Sequence, residues 1–151
     1  MLLTGCEKNV VKPGGQWLPV PTSRGRGMFA CYVDNQTYVS KRQDKVKYNP
    51  DTGYLFIHNF YAEFQFRFFI YDGVFGPGAY ELDSTGEELI MNFSDTSYGI
   101  YSGGVNQLIV DEFNLEKNVV AGTFELNVKN EDGEIIEIRN GRFDYAMEMV
   151  D

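Results

Sequence analysis

Glu63-Phe64-Gln65-Phe66-Arg67-Phe68-Phe69-Ile70-Tyr71 is the stretch on which the fold turns. Phe64, Phe66, Phe68 and Ile70 alternate with Glu63, Gln65 and Arg67. A period of two sends one set of side chains to one face of a strand, so this segment reads as a strand with a buried aromatic face. Its neighbour Tyr54–Tyr61 reads the same way, and together they form the strongest strand pair in the chain. A strand this rich in Phe is expected at the centre of a sheet.

Working outward, strand follows turn follows strand. Met28–Asp34 and Thr37–Ser40 flank Asn35-Gln36, and Asp44–Tyr48 ends at Asn49-Pro50-Asp51-Thr52-Gly53. Beyond Gly76-Pro77-Gly78 come Ala79–Leu82, Glu87–Phe93, Ser97–Tyr101, Asn106–Leu115 and Val119–Lys129. Asn130-Glu131-Asp132-Gly133 turns the chain into a closing run, Glu134–Met147. Asn140-Gly141 interrupts that run, and the alternation resumes at Phe143 and Tyr145, which predicts a bulge. No stretch holds a helical period. Short strands at 8–12-residue spacing predict an all-β antiparallel β-sandwich or flattened barrel of nine or ten strands. Parallel βαβ units are excluded because no crossover helices are present.

The composition agrees. The 151 residues are 43% apolar and 15% aromatic, enough for one core in one domain. The charge is −9, from 13 Lys and Arg against 22 Asp and Glu, which argues against nucleic acid as a partner. That charge is unevenly spread: residues 7–27 carry +3 and residues 28–151 carry −12.

The N-terminus reads as an address. Leu3-Thr4-Gly5-Cys6 resembles a bacterial lipobox, in which the Cys thiol takes a diacylglycerol and the peptide before it is removed. The basic and apolar regions of a full signal are missing ahead of it, so the expectation is either a late written start or a trimmed signal. Residues 1–6 are therefore expected to be residual signal peptide. Residues 7–27, punctuated by Lys12-Pro13-Gly14-Gly15, Pro19, Pro21 and Arg24-Gly25-Arg26-Gly27, read as a flexible tether reaching about 25 Å. Trp17-Leu18 is its one apolar spot and is expected to dock on the domain, residues 28–151. Two or more acyl chains anchor firmly where one holds marginally. The expected partner is a membrane reached through lipid on Cys6, and the expected location is the cell envelope, on the outer membrane.

Four segments carry a family resemblance. Met28–Ser40 is similar to the opening hairpin of a Bacteroidetes-type lipoprotein family, an all-β domain of unknown function. Gly78-Ala79-Tyr80-Glu81-Leu82 resembles its Gly-x-Tyr-x-Leu segment, and Val120–Leu126 its Gly-Thr-Phe segment. Asn140-Gly141-Arg142-Phe143-Asp144 resembles its Asn-Gly-Arg-Phe-Asp close. The resemblance implies an all-β body on a lipid anchor and supplies no catalytic residue.

Catalytic chemistry finds little purchase in this sequence. His58 is the sole histidine, so any Ser-His-Asp triad must use it, and no Gly-x-Ser-x-Gly elbow exists. No paired-ligand spacing suggests zinc, and neither cofactor nor metal is expected. Cys31, in Phe29–Val33, reads as a buried structural thiol. The acidic turns lack the ordered Asp-x-Asx-x-Asx-Gly calcium loop and read as solvated hairpin ends. Lys41–Lys47 is a basic stretch at a strand edge, where Lys discourages edge-to-edge pairing. A non-catalytic binding or envelope-assembly role is the first expectation. A glycan-binding module of a polysaccharide-uptake system, with Tyr98, Tyr101 and Phe75 as exposed stacking rings, is the second. A small-ligand carrier with a barrel cavity is the third.

Overall fold

A computed structural model describes residues 18–40, 45–61, 64–70, 73–82, 87–93 and 95–151. Alternation is translated directly into strands: β1 (Met28–Val33), β2 (Gln36–Ser40), β3 (Lys45–Tyr48), β4 (Leu55–Tyr61), β5 (Phe64–Ile70), β6 (Gly78–Glu81), β7 (Glu87–Phe93), β8 (Thr96–Ile100), β9 (Gln107–Asn114), β10 (Val119–Lys129), β11 (Ile135–Ala146) and β12 (Glu148–Met149). The described residues thus hold twelve strands, where nine or ten were expected. Two-residue β12 is too short to leave a pattern in the sequence. It also forms the one parallel ladder among the described residues, with β3.

The strands form one curled sheet ordered β12-β3-β4-β5-β7-β8-β10-β11-β1-β2, with β9 added beside β10 and β6 beside β9. The fold back occurs at β8. Its first half, Thr96–Tyr98, pairs with β7, while Gly99 and Ile100 pair with the end of β10. One strand shared between two pairings bends the sheet into two layers, as at the corners of β-sandwiches. The first layer is β12-β3-β4-β5-β7, and the second is built on β9, β10, β11, β1 and β2.

The inner faces meet through aromatic rings. Phe66 of β5 is fully buried, 5.1 Å from the Phe29 ring of β1 and 6.1 Å from that of Phe124 in β10. Phe68 meets Phe124 edge-on at 5.5 Å, and Tyr48 of β3 meets Phe113 of β9 edge-on at 5.1 Å. Such tilted pairs exploit the ring quadrupole and add about 0.5–1.5 kcal/mol each beyond area burial. One polar relay crosses the same core. The Tyr38 hydroxyl donates to Asn59 Oδ1 at 2.9 Å, and Asn59 Nδ2 donates to the Tyr145 hydroxyl at 3.1 Å. Asn59 is wholly buried, so these bonds offset a desolvation cost of about 1–3 kcal/mol.

The expected bulge is present. Phe124 pairs with Gly141 but Leu126 pairs with Ile138, so β11 carries one extra residue across from Glu125. The ladder to β1 slips at the same place, between Ala30 and Tyr32. Asn140 takes up the excess at φ +52°, a left-handed conformation that Asn tolerates better than most residues. The next residue must be Gly, because a Cβ on Gly141 would enter the ring of Phe124.

The folded body begins ten residues earlier than the sequence suggested. Residues 18–27 lie as a strap on the outside of the second layer. Leu18 is fully buried and forms a second apolar cluster with Met28, Ala30 and Tyr32, the outward residues of β1. Phe29, Cys31 and Val33, the inward residues, belong to the main core. β1 is therefore buried along its whole length on both faces. Leu18 docks as expected of the Trp17-Leu18 spot, and burying its side chain contributes about 1.5–3 kcal/mol. Trp17, Cys6 and residues 7–16 lie outside the described residues.

Candidate functional site

The three rings expected to form a ligand platform do not come together. Tyr98 corrects the sequence reading: it is 8% exposed and part of the main core. It stands opposite Met91 in the β7–β8 ladder, and the alternation of β8 sends it inward. Aromatic abundance alone had suggested exposure, whereas the parity of this short strand decides otherwise. Phe75 is 64% exposed and lies over Gly53 and Gly73, where a Cβ on either glycine would meet its ring. Tyr101 is half-buried, with the Lys129 ammonium 5.2 Å from its ring centre. The β6–β9 ladder separates these two. Gly78, three residues past Phe75, pairs with Val110, while Leu82 bonds Asn106, which in turn holds the Tyr101 loop.

That loop has its own logic. β8 and β9 both border β10, and Asn106 fills the place where one leaves and the other arrives. Its Oδ1 accepts the Asn127 backbone N–H at 2.8 Å, and its Nδ2 donates to the Tyr101 carbonyl at 2.9 Å. Asn127 Nδ2 reciprocates by donating to the Val105 carbonyl at 2.8 Å. Asn106→Ala would orphan the buried Asn127 N–H and leave the Tyr101 carbonyl with only the Gly104 N–H at 3.3 Å. We expect a loss of about 2–3 kcal/mol, read as a lower midpoint in urea at unchanged slope.

The reactive side chains are placed for structure. Cys31 is fully buried, and burial pushes its thiol well above the ordinary range, only partly opposed by nearby Arg142. Such a thiol is held protonated and is a poor nucleophile. The acidic turn at Glu131–Glu134 is consumed locally: Asn130 Oδ1 accepts the N–H groups of Asp132 and Glu134, and Asn130 Nδ2 donates to the Glu134 carboxylate at 2.8 Å. No group of three or more His, Cys, Asp and Glu side chains converges as a metal site among the described residues.

One surface concentrates chemistry that the linear sequence had scattered. On β3, Val46 and Tyr48 point inward, leaving Lys45 and Lys47 outward. On β4 and β5 the outward set includes Phe56, His58, Arg67 and Phe69. Register lines these up across three strands. Lys45 stands opposite His58, and His58 opposite Arg67; one step along, Lys47 stands opposite Phe56, and Phe56 opposite Phe69. The Phe56 and Phe69 ring centres are 4.9 Å apart, and Phe56 is 5.9 Å from the His58 ring. Burial lowers the His58 pKa first, and the positive charges of Arg67 and Lys45 lower it further. Both effects favour the neutral imidazole, which stands between Lys45 and Arg67 in the row. The sequence had shown Lys41–Lys47 as a basic stretch, of which residues 41–44 lie outside the described residues; Arg67 and His58 join Lys45 and Lys47 only through strand pairing. Outward parity on the two strongest strands was the signal available for finding them.

Comparison with protein-family models, with curated proteins and with solved structures found no match.

Proposed function

We propose that this chain is a non-catalytic binding domain held at a bacterial membrane by lipid on Cys6, outside the cytosol. The observation that carries the reading is the spacing between motif and fold. Leu3-Thr4-Gly5-Cys6 stands twelve residues before Leu18, the first described residue buried in the body. Twelve residues reach at most about 40 Å when fully extended. An acylated Cys6 would thus keep the body near the bilayer, while leaving the motif clear for the enzymes that modify it. The four-segment resemblance to an all-β lipoprotein family supports the same reading. So does the strap, whose own bonds to the sheet transmit any pull on the anchor into the core instead of into a loose end.

The test is chemical. When the gene is expressed in a bacterium with its complete upstream signal, the mature protein is expected in the membrane fraction. Its N-terminal peptide should begin at Cys6 and carry the mass of two or three acyl chains. A bare Cys6 thiol in the soluble fraction would overturn the anchor.

A further inference from the structure

We propose that the outer face of β3, β4 and β5 binds an acidic glycan, a chain of sugar rings bearing carboxylate or sulfate groups. The inference rests on the binding-domain reading and is independent of the anchor. The face carries two rows. Lys45, His58 and Arg67 form the first, and Lys47, Phe56 and Phe69 the second. Neighbouring strands lie about 4.8 Å apart, so each row offers one side chain per sugar-sized step across about 10 Å. Anions meet the ammonium and guanidinium groups of the first row. The apolar face of a sugar ring covers Phe56 and Phe69 in the second.

Charge complementarity selects the acidic member of the glycan class. The chain is strongly acidic overall, yet this face presents Lys45, Lys47 and Arg67 side by side. Among residues whose side chains are described, the one ion pair is Arg139 with Glu137, on the other layer. The Nε of Arg67 is buried and has no hydrogen-bond partner among the described residues. Glu148 stands beside Lys47 in the β12–β3 ladder, so an acidic residue borders the face at that end and favours an anion at the Lys45–Arg67 row.

Two other polyanions fit less well. A nucleic acid brings a dense row of phosphates that a net charge of −9 repels at range. An anionic membrane surface carries a dense negative potential that the same net charge opposes.

His58 provides the reporter, being the sole histidine of the chain. The full chain is titrated at low salt with polygalacturonate oligomers, with neutral dextran and with phosphatidylglycerol vesicles. The imidazole C–H resonances are followed by NMR. Polygalacturonate is expected to shift them saturably and dextran to leave them unmoved. Arg67→Gln is expected to weaken binding at least tenfold. Lys45→Gln, at an exposed position, is expected to weaken it severalfold without altering the melting curve, which keeps the test open if Arg67→Gln disturbs folding. The proposal is overturned if polygalacturonate produces no shift, if Lys45→Gln and a folded Arg67→Gln bind like the parent, or if only the vesicles respond. An unmodified Cys6 would sink the anchor and leave this result standing.

Discussion

Gly122→Ala is expected to destabilise the protein by about 3–5 kcal/mol, or to prevent folding outright. β9 and β10 approach unusually closely at this residue. The ladder slips between Ala121 and Gly122, so that Ala121 faces Glu112 while Gly122 faces Val110, and Asp111 bulges from β9. The slip brings the Ile109 carbonyl oxygen over Gly122, and a Cβ there would overlap that oxygen and crowd the Phe143 ring at 3.1 Å. The obstructing atom is backbone, held in a ladder on both sides, so it cannot swing aside as a side-chain tip would. Gly99→Ala is the control. It also sits in a strand, but a Cβ there meets nothing within 4 Å, and the change should stay within about 0.5 kcal/mol. Urea unfolding of the pair measures the contrast; equal midpoints would show that β9 can retreat from β10 at no cost.

Asp144→Asn is expected to cost about 2–4 kcal/mol and to release the strap. Asp144 is fully buried on β11, and its carboxylate is spoken for by the strap alone. Oδ2 accepts the Thr22 hydroxyl at 2.6 Å and the Arg24 N–H at 3.0 Å, while Oδ1 accepts the Gly25 N–H at 2.6 Å. An Asn side chain of the same shape turns an NH₂ toward one set of donors, leaving them unmatched. What remains is the Gly27 N–H bond to the Asp144 carbonyl, the Arg142 bond to the Pro19 carbonyl and the burial of Leu18. Arg24 and Arg26 are exposed within the strap, so brief trypsin treatment under native conditions reads its release. The parent should resist cleavage there, and the variant should be cut after Arg24 or Arg26 while the rest of the chain stays intact. Equal resistance would show that Leu18 alone holds the strap.

The same carboxylate makes stability depend on pH. Burial by itself would raise its pKa, but the Thr22 hydroxyl and the N–H groups of Arg24, Gly25 and Arg26 outweigh burial and hold it below the ordinary value. A group depressed on folding stabilises above its unfolded pKa, near about 4, and loses that contribution as pH falls through the folded value. The parent should therefore lose stability below about pH 4. Asp144→Asn should lack this part of the loss, so the two stability curves converge in acid.

Much of the architecture was legible along the chain. Glu63–Tyr71 announced a central strand with Phe66, Phe68 and Ile70 inward, and all three are buried. Asn140-Gly141 announced the bulge, and Cys31 an interior thiol. The docked strap was legible only at Leu18. Nothing near Thr22 or Arg24 reveals that a carboxylate 120 residues away will claim them. Tyr98 misled because a five-residue strand leaves too few positions to fix its parity.

What the sequence determined unaided was the local rule: which residues alternate, where the chain turns, and where one extra residue must be absorbed. Those properties depend on backbone geometry within a few residues. The tertiary structure alone decided which outward positions became neighbours. Lys45, His58 and Arg67 share a row because the β3–β4 and β4–β5 ladders have one register, and a slip of a single residue would have sent every member to the opposite face. Register is set jointly by turns, bulges and the packing of Phe29, Phe66 and Phe124 between the layers, so no segment carries it alone.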